Sequence, residues 1–182
     1  MTIATKFWFA GFHFKNLSRG LILRAKIAAW GGKAGGSLGV EPRLRLRWPP
    51  SRSWQIGRGV HIATNVVMDV WPKASLVIED DCTIGAGSVV AVREGVTIGA
   101  GTRIAELCSL QDANHVVSES GVTSRMVASP IRIGRGVWLG RGVAVLAGVN
   151  IGDGAVIGAN AVVRADIPAG SVAVGVPARV IN

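Results

Sequence analysis

Aliphatic residues recur every six positions through the C-terminal third of this chain: Ile133, Leu139, Val145, Ile151, Ile157 and Val163. Glycine follows directly at Gly134, Gly140, Gly152 and Gly158. A helix repeats near 3.6 residues and a plain strand every two, so neither element alone carries this period. A hexad built of one short strand and one turn does. The same frame runs upstream through Ile56, Ile62 and Met68, then Ile78, Ile84 and Val90, then Val92, Ile98, Ile104 and Leu110. Four positions after each aliphatic stands a small or slim residue: Cys82, Ser88, Thr102, Cys108, Val137, Val143, Ala155 or Ala161. Both positions point inward, and Gly or Asn between them takes the turn. Three hexads close one triangular coil, and stacked coils pair strand on strand. Such an array is stable only as a stack, each buried aliphatic adding roughly 1.5–3 kcal/mol. The frame therefore predicts an all-β parallel β-helix of about five coils, with a looser first coil over residues 38–55.

The N-terminal third differs. Residues 1–55 hold ten Lys and Arg against one acid, Glu41, and so carry the whole net charge of +9. The rest of the chain is neutral. Phe14, Leu17, Leu21, Ala25 and Ala28 lie at helical spacing within residues 14–30, with Lys15, Arg19 and Lys26 elsewhere around the turn. Gly20 weakens that helix, and GGKAGG at 31–36 reads as a flexible hinge. Two readings stay open for the helix: it packs on the open end of the β-helix, or it lies in a membrane interface, with Trp8, Trp30 and the basic residues as anchors. The division is thus a basic amphipathic segment, 1–37, and a β-helix domain, 38–182, interrupted by an excursion loop at 116–132.

Cys82 and Cys108 each fall on a small inward position, which predicts two reduced core thiols and a cytoplasmic setting. No secretory signal and no spanning segment is read: FWFAGF after Lys6 is interrupted by His13 and Lys15. With three histidines in the chain and His13 outside the coils, a three-histidine zinc site is not expected. A basic N-terminus without a motif does not argue for nucleic acid.

The stretches VWLG (137–140), GVNIGDGAVIGAN (148–160) and IPAGSVAVGVPARV (167–180) resemble the coenzyme A-dependent hexapeptide acyltransferases, in particular the galactoside, maltose and polysaccharide O-acetyltransferase branch. The resemblance covers about residues 56–182 and is most specific in the last third. It implies a left-handed β-helix, a homotrimer with clefts between subunits, acetyl-CoA as donor and a sugar or glycan-precursor hydroxyl as acceptor. It also implies one essential histidine ahead of the excursion loop. LQDANHVV places His115 there, 23 residues before Trp138. An imidazole suits the task, because an acceptor hydroxyl is a poor nucleophile until a base withdraws its proton. His13 and His61 lack that context and read as structural. Asp112 and Asn114 are candidates to orient the imidazole or hold the acceptor, with Glu119 as a further orienting candidate. Both Asp112 and Asn114 also suit a plain turn. Arg125 stands where the galactoside branch carries a glutamate.

Carried over from the resemblance, the donor groove involves Trp138, Arg141, Ala159, Arg164, Ala165 and Arg179, with the Arg141 backbone N–H as oxyanion donor and the arginines near the coenzyme phosphates. No metal is expected. Alternatives are a serine or antibiotic acceptor, or a non-enzymatic β-helix. The basic N-terminus adds an expected peripheral contact of residues 7–30 with an anionic membrane face.

Overall fold

In a computed structural model of the chain, residues 3–119 and 121–182 are described, with side chains from Lys15 onward. The side chains of Trp8, His13 and Phe14 lie outside this set.

One helix, α1 (Ile3–Ala29), precedes a parallel solenoid of short strands. The chain visits three sheets in turn. The first holds Lys33–Ala34, Trp54–Ile56, Ser75–Ile78, Gly95–Ile98, Ile131–Ile133 and Asn150–Ile151. The second runs Gly39–Val40, His61–Ile62, Thr83–Ile84, Arg103–Ile104, Trp138–Leu139, Val156–Ile157 and Val172–Val174, closed by Arg179–Val180 antiparallel. The third runs Arg45–Leu46, Val67–Val70, Val89–Val92, Ser109–Gln111, Ala144–Val145 and Val162–Val163. Three sheets visited cyclically make a triangular prism, consistent with a left-handed β-helix. Six strands in each of the first and third sheets mean six coils, one more than the regular frame suggests.

Every inward position expected from the hexads is buried. Ile133, Leu139, Val145, Ile151, Ile157 and Val163 are at most 2% exposed, and Cys82, Ser88, Thr102, Cys108, Val137, Val143, Ala155 and Ala161 at most 1%. The turns need a left-handed residue, and glycine supplies it at Gly136, Gly142, Gly148 and Gly154, with φ of 61°, 71°, 81° and 67°. Asn160 takes the next place in that six-residue series at φ 59°. Cys82 and Cys108 are free. Their thiols donate to Gly99 O at 3.1 Å and Gly140 O at 3.2 Å, and burial pushes both thiols up from their ordinary pKa.

Two expectations for the N-terminal third are corrected. GGKAGG is no hinge: Lys33–Ala34 is the first strand of the first sheet and pairs with Gln55 and Ile56. Its glycines permit close packing, since a Cβ on Gly35 would press on the Arg58 backbone. The solenoid thus begins ahead of Leu38, inside the segment 1–37. Second, α1 packs on the end of the solenoid through Asn16, Gly20, Leu23 and Ile27, not through the apolar stripe at Leu17, Leu21, Ala25 and Ala28. Gly20 makes this approach possible, because a side chain there would overlap the Leu38 carbonyl.

The excursion is an antiparallel hairpin, Ala113–Ser118 with Gly121–Ala128. It begins earlier than the loop expected at 116–132, so His115 stands on it rather than ahead of it.

Candidate active site

The hairpin leaves the solenoid at the corner between the third and first sheets. A departing chain leaves that corner short of acceptors, and Asp112 supplies them. Its carboxylate accepts from Arg93 N at 2.7 Å, Glu94 N at 2.8 Å and Gly95 N at 2.7 Å, and its carbonyl accepts from Ser129 N at 2.8 Å. Asp112 is fully buried. It therefore does not orient His115; it ties the base of the hairpin to the coil before it. The Asp–Asn pair looked like an orienting pair because sequence proximity hides that one carboxylate turns inward.

His115 sits opposite Met126, next to a register irregularity between His115 and Val117. That irregularity turns the ring to the facing strand, where Nδ1 lies 3.1 Å from the Thr123 carbonyl. A carbonyl only accepts, so Nδ1 carries the proton and Nε2 keeps its lone pair in the neutral ring. Thr123 is itself held, its hydroxyl donating to Val116 O at 2.9 Å. The orienting partner is thus a backbone carbonyl, which no side-chain pattern announces, rather than Asp112 or Glu119. His115 opens on a cleft of about 280 Å³ lined by Ala91, Arg93, Gln111, Asn114 and Met126. Asn114 is exposed on this hairpin, and Arg125 is exposed beside Met126.

Arg93 forms the wall of the cleft and is absent from the sequence reading. Its Nη2 and Nη1 donate to Asp69 Oδ2 and Asp69 O, each at 2.9 Å, and its guanidinium lies 4.7 Å over the Trp71 ring. Trp48 Nε1 donates to Asp69 Oδ1 at 3.1 Å. The signal was the frame itself. Trp48, Trp71, Arg93 and Asp112 all follow third-sheet strands on successive coils, so they stack at one corner.

The donor candidates fall elsewhere. Trp138, 55% exposed, stands on the outer side of the second sheet between Arg103 and Val156. Arg141 and Ala159 share the corner between the second and third sheets, where Asn160 N donates to Arg141 O at 2.8 Å. Hydrogen bonds at that corner run through the N–H groups of Gly140, Gly142 and Asn160. Arg164 and Ala165 are exposed at the corner between the third and first sheets, two coils beyond His115. Arg179 is exposed on the closing strand of the second sheet, its Nη1 donating to Ala178 O at 3.0 Å. One chain thus unites Arg141 with Ala159, but leaves His115 a full corner away from them. His61 is paired, with Nε2 3.1 Å from Glu41 Oε1. Among the described residues, no cluster of three or more His, Cys, Asp or Glu side chains could hold a metal. No described helix is long and apolar enough to cross a membrane.

Residues 130–165 match the bacterial transferase hexapeptide family (six repeats), and residues 75–105 match the hexapeptide repeat of succinyl-transferase. The chain is a hexapeptide-repeat protein. Among curated proteins it is 35% identical over 137 residues to a probable acetyltransferase of Mycobacterium tuberculosis. That match takes in 74% of the hexapeptide-repeat protein but only 45% of its relative's length. An N-acyltransferase from Bacillus cereus, AntD, crystallised with dTDP-4-amino-4,6-dideoxyglucose and coenzyme A, has the same fold: TM-score 0.70, 19% identity, 81% of each chain covered. The acetyltransferase domain of PglB from Neisseria gonorrhoeae, in complex with acetyl coenzyme A, aligns at TM-score 0.60 and 21% identity over 80% of this chain and 58% of that one.

Proposed function

We propose that this hexapeptide-repeat protein is an acetyl-CoA-dependent acyltransferase that acetylates a hydroxyl of a sugar or glycan precursor, with His115 as general base. One observation carries the reading: the Thr123 carbonyl holds Nδ1–H of His115 and leaves Nε2 as the base in an open cleft. Nε2 takes the acceptor proton as the hydroxyl oxygen attacks the thioester carbonyl. The tetrahedral oxyanion is stabilised by the Arg141 N–H of a neighbouring subunit. Collapse expels the coenzyme thiolate, which recovers the proton from the imidazolium, leaving an acetyl ester and coenzyme A. Trp138, Arg141 and Ala159 wall the donor groove on one subunit, with Arg179 beyond them. Arg164 and Ala165 complete it from the adjoining one, with Arg164 and Arg179 available to phosphates. Asn114 contacts the acceptor. The buried free thiols fit a reducing cytoplasm.

The placement of these residues on two corners supports a homotrimer. The third sheet lies between those corners, and beyond Arg45 of the first coil its outer column is small and uncharged: Val67, Val89, Ser109, Ala144 and Val162 in register. Three copies with this face toward a common axis set the His115 corner of one against the Arg141 corner of the next, a heterologous contact that closes as a ring.

A second reading, transfer to the amine of a nucleotide-linked amino sugar, is favoured by the ligands bound to the Bacillus cereus N-acyltransferase. Turnover of acetyl-CoA with matched hydroxy and amino sugars, free and nucleotide-linked, separates the two. His115→Ala is expected to lower turnover by roughly 10²–10⁴ with the trimer intact. Wild-type turnover in that variant removes the base assignment, and an active monomer by mass measurement removes the intersubunit site.

A further inference from the structure

The solenoid uses one side of α1 and leaves the opposite side bare. Asn16, Leu23 and Ile27 are at most 4% exposed against the solenoid end. On the far side Leu17 is 46% exposed, Leu21 62% and Ile22 59%, with Ala25, Ala28 and Ala29 exposed between them and one polar residue, Ser18, whose hydroxyl is turned back to the Lys15 carbonyl at 2.8 Å. Trp30, 58% exposed, follows the helix end. At about 100° per residue this apolar sector spans about 140° of the helix surface. No charged residue falls inside it within residues 15–30. Arg24 borders one edge; Lys15, Lys26 and Arg19 border the other. A helix facing only water would put its charges in the middle of that sector. Here the charges stand at both rims, where long basic side chains extend from an apolar body toward an anionic boundary.

The surrounding surface has the same sign. Arg19 and Lys26 lie beside Arg43 of the first coil, around a groove that also holds Ile22, Leu44, Leu46 and one acid, Glu41, whose carboxylate is taken up by His61 and the Thr64 N–H. Lys33, Arg45, Arg47 and Arg52 are exposed on the same coil. The described basic residues from Lys15 to Arg52 are therefore gathered at one end of a prism whose remaining coils are neutral. A second copy docked helix to helix would bring these basic rims together, which disfavours self-association here.

We propose that this face of α1 docks on an anionic lipid bilayer. The helix lies in the plane of the interface, with Leu17, Leu21 and Ile22 in the acyl boundary and the flanking Lys and Arg at the headgroups. Trp30 anchors the helix end at the level where indole is favoured. Attraction decays over about 8 Å at physiological salt, so only the helix and first coil take part. The inference stands apart from the acyl-transfer reading, since it needs neither His115 nor a coenzyme.

The test is sedimentation of the full chain with vesicles of phosphatidylcholine alone, and of phosphatidylcholine with phosphatidylglycerol. At low salt the anionic vesicles are expected to bind at least about ten-fold more protein, because several basic residues each add attraction. Salt near 1 M, with a screening length of about 3 Å, should abolish most of that gain. The double variant L17Q/L21Q is expected to bind about ten-fold less, with unchanged melting temperature and oligomer mass, because both side chains are exposed. Three results overturn the proposal: no preference for anionic vesicles at low salt, wild-type binding by the double variant, or loss of the oligomer in that variant. The last would show that another copy covers the face.

Discussion

Residues 131–165 and helix α1 meet the rest of the molecule in opposite ways. In the coils, each inward side chain lies between the equivalent positions of the coil before and the coil after. Leu139 pairs in register with Ile104 on one side and Ile157 on the other. Among its described side chains the helix touches the molecule along a single stripe, and its neighbour is one end of the stack. A stacked residue is thus constrained by two repeats of its own pattern. A helical residue is constrained by one contact, and that contact is set by whichever side can approach most closely. Gly20, with no Cβ to strike the Leu38 carbonyl, decides the approach for α1.

That contrast can be broken by substitution. The largest stability effect is expected in the coils: Leu139→Ala should cost about 2–5 kcal/mol, whereas Leu21→Ala on the exposed helix face should stay within about 0.5 kcal/mol. Chemical denaturation of both variants measures the difference. Equal costs would mean that the exposed helix face is packed in the assembled protein.

A smaller loss is expected for Gly20→Ala. The new methyl has to displace backbone, so about 1–3 kcal/mol is expected, with α1 lifting from the solenoid end. Faster hydrogen exchange confined to α1 and the first coil reports it. Protection lost evenly through residues 131–165 would make the helix part of one cooperative unit with the coils.

The smallest effect belongs to the outer face of the solenoid. Backbone and side-chain hydrogen bonds from Arg58 hold the Asp80 carboxyl below its usual range, at a partly exposed site where solvent screens the pair. A lowered folded pKa adds stability above the unfolded value of about 4, and that stability is lost as pH falls through the folded value. Asp80→Asn should therefore lower the melting temperature slightly at pH 7. The difference should shrink below about pH 4 and vanish once Asp80 is protonated. A difference that persists in strong acid would assign the effect to packing instead.

The same contrast explains how much of the site was legible. His115 was singled out because the resemblance implies a histidine at the excursion from the period, and Arg141 and Ala159 were carried over from the same resemblance. The role of Asp112 was misread. Its inward turn depends on three amides of the preceding coil, nearly twenty residues earlier in the chain. Thr123 was missed because a backbone carbonyl works there, and Arg93 because its partners Asp69 and Trp71 lie one coil away.

By itself the sequence determined the period, the inward residues, the glycine turns and the uneven charge. Each follows from local chemistry repeated many times, so that the pattern carries its own register. Only the tertiary structure decided which side of α1 is buried, where the first strand begins and which atom orients His115. These are single contacts between segments distant in the chain, made through backbone groups that every residue type possesses.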